Sequence, residues 1–177
     1  MREMRLIDQH YDYYDSTRPL FVVAHMRLGD VAGFSEDCSN RRTICKQIYL
    51  LVLSAIRQQY PTAKIVIQSS TVNGESEADI ALQNDFRKAG FDLLLDNEHN
   101  AINATTDLVR AFAKMAVADV LVSSRSTLPR VAGLFNPNCE ISLRPRSNDF
   151  MENNMIPFIP YNTSTTDLLS SLSKCLN

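Results

Sequence analysis

Apolar and polar residues along this chain follow two alternating patterns. Short continuous apolar runs predict strands that are buried on both faces, whereas apolar residues that recur every three or four positions predict amphipathic helices. Strands are predicted at residues 20–24, 63–68, 91–95, 119–122 and 139–143. Helices are predicted from residue 44 to a point before Pro61, at about 77–88, after a capping cluster at 105–107, at 126–135 and at 165–176.

Strands that alternate with helices of this length form parallel β-α-β units with right-handed crossovers. The sequence therefore predicts an α/β fold, a single Rossmann-like three-layer sandwich with a mainly parallel sheet of five or six strands. Residues 1–18 are interpreted as a lead-in and residues 19–177 as the domain. In such sheets ligands bind outside the carboxyl ends of the strands, so the loops at those ends are where a functional site is expected.

Composition narrows the class of function. The chain has 177 residues, 45% of them hydrophobic and 21% charged, which is typical of one ordinary globular domain. Its formal net charge of −2 gives no basic surface for broad nucleic-acid binding. No apolar run approaches the roughly 20 residues that cross a bilayer. We therefore expect no nucleic-acid partner and no membrane segment.

The cysteines show no metal-binding pattern. None of Cys38, Cys45, Cys139 and Cys175 forms a C-x-x-C pair, and no histidine stands at metal-ligand spacing from any of them. We expect buried or free thiols in a reducing compartment, which slightly favours a cytoplasmic location. We also expect no metal and no cofactor.

The first chemically distinctive loop follows the strand predicted at residues 20–24. There the apolar run changes to H-M-R-L-G-D, residues 25–30. His25 and Arg27 are two positions apart and point to one side if the chain stays extended. Arg27 at such an edge suits bidentate contact with phosphate or carboxylate oxygens, and Asp30 is placed to hold Arg27 or to cap the next turn. The same residues are also compatible with a surface Arg–Asp pair beside a packed histidine.

The second loop, S-S-R-S-T at residues 123–127, leads directly into a predicted helix. Free N–H groups and the helix dipole favour anions at such a place. Ser and Thr are also ordinary N-cap residues, so capping alone is the alternative. The loop lacks the glycines of the dinucleotide fingerprint and of the Walker P-loop, which disfavours NAD binding and ATP hydrolysis.

Together the two loops resemble one known group. Residues 22–30, V-V-A-H-M-R-L-G-D, resemble the H-x-R-x-G-D signature of the fucosyltransferase superfamily. Residues 115–132, M-A-V-A-D-V-L-V-S-S-R-S-T-L-P-R-V-A, resemble that family's succession of helix, Ala-Asp, strand, Ser-rich loop and Arg-Val-Ala helix. The likeness is closest to the α1,6 type, with protein O-fucosyltransferases in the same group, and covers about two-thirds of the chain, residues 21–135.

The resemblance implies a nucleotide-sugar-binding domain, the C-terminal half of a two-domain GT-B enzyme. In that family Arg27 would hold the β-phosphate of GDP-fucose and stabilise the leaving diphosphate, without a metal ion. His25 would lie against the nucleotide, and Asp30 would orient the loop. Donor phosphates would contact the second loop at Ser124, Ser126 and Thr127. The fucose would pass to a glycan or protein acceptor.

The sequence departs from the family pattern at three positions. The family's Lys after the signature is Val31 here, and its catalytic Glu falls on Ser35. A one-residue shift of the loop would bring Glu36 into the role of catalytic base. The family's guanine-reading Asp corresponds to Ala111, with Asp107 one helical turn earlier.

These departures leave two alternatives open: a non-catalytic nucleotide- or phosphate-binding module, and a GT-B transferase with another donor. The chain contains only one α/β domain, so we expect the acceptor domain to belong to a larger protein or to a partner chain. A Rossmann-like domain with no nucleotide site is the remaining possibility.

Overall fold

The computed structural model of the protein describes residues 18–26, 44–71, 77–97, 101–124, 126–143, 155–158 and 163–177. Its strands are β1 (Phe21–His25), β2 (Lys64–Thr71), β3 (Asp92–Asn97), β4 (Val120–Ser123), β5 (Cys139–Leu143) and β6 (Met155–Phe158). Its helices in the described residues are α1 (Lys46–Gln59), α2 (Glu77–Lys88), α3 (Ala101–Ala116), α4 (Thr127–Phe135) and α5 (Thr165–Leu176).

The strands form one six-stranded sheet in the order β3-β2-β1-β4-β5-β6. Every neighbouring pair is parallel. The predicted α/β fold with a parallel sheet is therefore confirmed as a Rossmann-like sandwich. The parallel order requires each strand to start at the same edge, so all carboxyl ends lie along the opposite edge.

Two apolar cores cover the two faces of the sheet. The larger core joins one face of the sheet to α1, α2 and α5, with large buried side chains such as Tyr49, Phe86 and Phe158. The smaller core joins the other face to α3 and α4 through residues such as Val23 and Met115. Burying a side chain of this size contributes about 1.5–3 kcal/mol, and both faces must be covered because the strands are apolar on both sides.

Helix α2 ends as its sequence predicts. Gly90 has φ +82°, the left-handed conformation that favours glycine. Its N–H donates to the carbonyl of Arg87, and the N–H of Phe91 donates to the carbonyl of Phe86. These two bonds form a Schellman cap, so the glycine stops the helix and turns the chain into β3.

Two predicted boundaries and one missing strand need correction. The sequence predicts that β3 ends at residue 95 and that α3 follows a capping cluster at 105–107. In the structure β3 continues to Asn97 and α3 already begins at Ala101, so that cluster lies inside the helix. Strand β2 continues to Thr71, three residues further than predicted, because it pairs with β3 along its polar end. Strand β6 was not predicted, and it tolerates Pro157 because it lies at the edge of the sheet.

The expectation of free thiols is wrong. Cys139 at the start of β5 and Cys175 near the end of α5 form a disulfide, with their Cα atoms 5.9 Å apart. Cys45 is also disulfide-bonded, and Cys38 lies outside the described residues. The fold places the end of α5 against the start of β5, a proximity that spacing along the chain does not reveal. Disulfides are typical of oxidising compartments, which argues against the reducing location expected from the sequence.

Candidate functional site

The carboxyl ends of β1 and β4 meet at the point where the sheet reverses its strand order. From β1 the chain adds β2 and β3 on one side, and it then returns to add β4 and β5 on the other side. Val22, Val23 and Ala24 pair directly with Val120, Leu121 and Val122. The crossovers leave in opposite directions here, and in such sheets this is the usual position of the ligand-binding crevice.

His25 and Ser124 join the two strand ends. His25 is the last residue of β1, and Ser124 directly follows β4. Nδ1 of His25 and Oγ of Ser124 share a hydrogen bond of 2.8 Å, and both residues are buried. The structure thus brings two of the predicted donor-binding residues into direct contact, even though they are 99 positions apart in the sequence.

Tyr49 of α1 supports this pair from the opposite face of the sheet. Its hydroxyl donates a 2.8 Å hydrogen bond to the carbonyl oxygen of His25. Burial raises the pKa of Tyr49 well above its ordinary value, and a hydrogen bond with Ser124 lowers that pKa by less. The phenol therefore stays neutral and keeps its proton as a donor.

A layer of polar side chains crosses the sheet at the same level as His25. Gln68 of β2 is the register partner of His25, and Ser123 of β4 is the register partner of Ser142 of β5. His25 and Ser123 each come one residue after Ala24 and Val122, the last residues that pair between β1 and β4. Partners in a parallel sheet point to the same face, here the face covered by α3 and α4, and all four residues are buried. The face changes from apolar to polar close to the crevice.

Glu140 of β5 adds a carboxylate to this layer. Oγ of Ser123 donates to Oε1 of Glu140 over 2.5 Å, and Glu140 is only 6% exposed. Helix α4 passes close by, since a Cβ added to Gly133 would collide with Oε2 of the same carboxylate. The absence of a side chain at Gly133 therefore lets α4 pack against a buried acid.

Helix α4 starts beside this layer. Ser126 is its N-cap residue, with extended backbone at φ −105° and ψ 152°, and its hydroxyl makes no capping hydrogen bond. Thr127 is the exposed first residue of the helix. Pro129, the third residue, is accepted there because the first turn needs no N–H donor for the helix ladder. The remaining N–H groups of this turn and the helix dipole can hold an anion.

The other predicted site residues are not described by the structure. Arg27, Asp30 and Glu36, the predicted catalytic residues, lie outside the described residues. Their roles remain predictions, as do those of Ser126 and Thr127 toward a ligand.

Asp119, part of the Ala-Asp pair in the family resemblance, lies away from the crevice. It precedes β4 at the amino end of the strands and is 0% exposed. Its carboxylate accepts hydrogen bonds from Nη1 and Nη2 of Arg18 at 2.7 and 2.6 Å, and from the N–H of Phe21 at 2.7 Å. The described contacts of Asp119 are therefore structural, because they hold the start of β1 beside β4.

Sequence reasoning missed four residues of this region: Tyr49, Gln68, Lys114 and Glu140. Gln68 is the last residue of the strand predicted at 63–68, and its polar side chain was given no role. Lys114 stands three positions after Ala111, on the side of α3 that carries the apolar stripe. A charged residue on the apolar side of a helix is the signal that could have identified it. Glu140 is similarly a charged residue inside a strand whose five residues are all buried.

Comparisons with known proteins add no family. The chain matches no protein-family model, and no curated protein is significantly similar to it. Among the described residues no three His, Cys, Asp or Glu side chains come together as metal ligands would. None of the helices in the described ranges combines the length and apolar character that crossing a bilayer requires.

Proposed function

We propose that this chain is the donor-binding domain of a glycosyltransferase, and that it binds a nucleoside diphosphate sugar, GDP-fucose, across the carboxyl ends of β1 and β4. The hydrogen bond between His25 and Ser124 carries the proposal, because it brings the ends of these two strands together. The two loops that resemble the fucosyltransferase pattern both leave from this point.

A diphosphate needs positive charge and N–H donors on the same side of the crevice. The first turn of α4 offers N–H groups and the positive end of the helix dipole. Arg27 follows β1 by two positions in the sequence, and its guanidinium suits bidentate contact with phosphate oxygens. In this proposal the two groups hold one pyrophosphate between them, and Ser126 and Thr127 add hydroxyl contacts.

The reaction would then rest on electrostatic stabilisation. As the bond between the sugar and the β-phosphate breaks, negative charge grows on the leaving diphosphate and the sugar acquires oxocarbenium character. Arg27 would stabilise that charge, and Asp30 would orient Arg27. Glu36 would take the proton of the acceptor hydroxyl, whose oxygen would bond to the anomeric carbon of the sugar as the nucleoside diphosphate leaves. The acceptor itself would be held by a further domain or a partner chain.

Calorimetry with GDP, UDP and CDP tests this proposal. We expect the purified chain to bind GDP, and Arg27→Ala to weaken that binding by about 1.5–3 kcal/mol because a charged hydrogen-bond partner is lost. Arg87→Ala is the matched control, since Arg87 is exposed at the end of α2. Unchanged GDP affinity in Arg27→Ala would refute the site, and tighter binding of UDP or CDP would favour a transferase with another donor.

One observation favours a second candidate, a nucleotide-binding module without catalysis. Ala111, at the position of the family's guanine-reading Asp, is buried in the core between α3 and the sheet. That position packs and offers no hydrogen bond to a base. Acceptor-dependent release of GDP from GDP-fucose by the full-length protein would exclude this candidate, whereas GDP binding without any turnover would favour it.

A further inference from the structure

Lys114 of α3 is a half-buried cation on the polar side of the sheet. Its Nζ donates a 3.3 Å hydrogen bond to Oε1 of Gln68. In the part of the chain that the structure describes, it forms no ion pair with a carboxylate, unlike Lys46, whose Nζ lies 2.6 Å from Oδ2 of Asp85. An ammonium that is partly removed from water favours the approach of an anion.

The direction of α3 explains why Lys114 reaches this level of the sheet. The helix follows β3 and leads to the amino end of β4, so its N-terminus lies toward the carboxyl edge. Helical side chains lean toward the N-terminus of their own helix. The stem of Lys114 therefore extends toward the carboxyl edge, past Ala111 one turn earlier, which is small and buried.

Gln68 then links Lys114 to the candidate site. Gln68 and His25 are register partners on adjacent parallel strands, and their side chains share the face that α3 covers. His25 is in turn bonded to Ser124. A row of four polar residues thus leads from α3 to the end of β4: Lys114 on α3, Gln68 on β2, His25 on β1 and Ser124 after β4.

We infer that Lys114, oriented by Gln68, binds phosphate oxygens of the ligand and supplies a positive charge from the β2 side of the crevice. This inference rests on the proposed function, because it assigns a residue to the same diphosphate. A lysine ammonium is a compact charge with three donors, so it can hold Gln68 and phosphate oxygens at once. No covalent step is involved, and Gln68 acts only as a positioning residue.

Calorimetry with inorganic pyrophosphate, GDP and guanosine tests the inference. We expect Lys114→Met, which keeps the apolar stem, to weaken pyrophosphate and GDP binding about 10-fold or more and to leave guanosine binding unchanged. Lys114→Gln, a polar variant, should lose binding to a similar extent, which guards against a folding artefact of either variant. Lys174→Met on the exposed side of α5 is the matched control, and thermal melting checks that each variant is folded.

The outcomes separate this inference from the proposed function. If wild type binds GDP, Arg27→Ala loses binding and both Lys114 variants bind normally, the role of Lys114 is refuted and the donor site stands. If a Lys114 variant weakens guanosine as much as GDP, Lys114 acts through the shape of the site and the inference is also refuted. If wild type binds pyrophosphate but no nucleoside diphosphate, the anion site stands and the proposed function falls. If wild type binds neither, both fall.

Discussion

Replacing Cys139 and Cys175 together by alanine removes the link between the start of β5 and the end of α5. The two cysteines are separated by 36 positions, and the closed loop contains β6 and α5. For a loop of this length the chain-entropy model gives about 4 kcal/mol of stabilisation at 25 °C. The free energy of unfolding of native domains is about 5–15 kcal/mol, so we expect the variant to remain folded but to lose a large share of its stability.

Urea denaturation followed by circular dichroism, without reductant, measures this loss. Cys139 is buried in the larger core, so part of any change in the free energy of unfolding comes from lost packing of its sulfur. The dependence of that free energy on urea concentration separates the two causes. Opening the loop lets the unfolded chain expand and steepens this dependence, whereas lost packing leaves it unchanged.

A specific result would refute the reasoning. If the double variant loses less than about 1 kcal/mol and its urea dependence is unchanged, the disulfide does not constrain the unfolded chain as the entropy model requires. The disulfide of Cys45 is untouched by this design. Its presence in both proteins keeps the comparison restricted to the loop between β5 and α5.

Two further substitutions probe the candidate site and the opposite edge of the sheet. Tyr49→Phe removes the donor to the carbonyl of His25, and we expect it to cost about 1–2 kcal/mol in urea denaturation at pH 7. Burial raises the pKa of Tyr49, so above about pH 10 the phenol ionises in the unfolded state but not in the folded state, and the wild-type free energy of unfolding falls. Tyr49→Phe should lose this part of the decline. Identical plots of stability against pH for the two proteins in the alkaline range would contradict the raised pKa of Tyr49. Asp119→Asn weakens the pairing with Arg18, and we expect about 2–3 kcal/mol less stability with unchanged GDP affinity, because Asp119 lies at the amino edge of the sheet. Lower GDP affinity at unchanged stability would show that this edge takes part in binding.

The apolar patterns predicted correctly those helices and strands whose local backbone preference agrees with their packing in the fold. Strand β5 and helices α2 and α5 occupy the residues that their patterns indicate. Strand β6 was missed because a short segment containing Pro157 has little intrinsic tendency to form a strand, and its conformation depends on pairing with β5. The polar end of β2 is extended for the same reason, because β3 supplies the hydrogen bonds.

The candidate site was only partly accessible from the sequence. His25 and Ser124 were found because each belongs to a polar loop that follows a predicted apolar strand. Their contact depends on β1 and β4 being neighbours, which follows from the direction in which each crossover returns. Glu140 and Lys114 were missed because a single polar residue in an apolar pattern does not reveal which side chain of another element it meets.

The sequence by itself determined the fold class, the positions of most helices and strands, and the two loops with chemistry at strand ends, because these depend on residue periodicity and local backbone preference. The tertiary structure decided which distant residues meet: the Cys139–Cys175 disulfide, the bond between His25 and Ser124, and the polar layer that contains Gln68. Such contacts depend on strand order and register, which arise from the packing of the whole sheet and its helices.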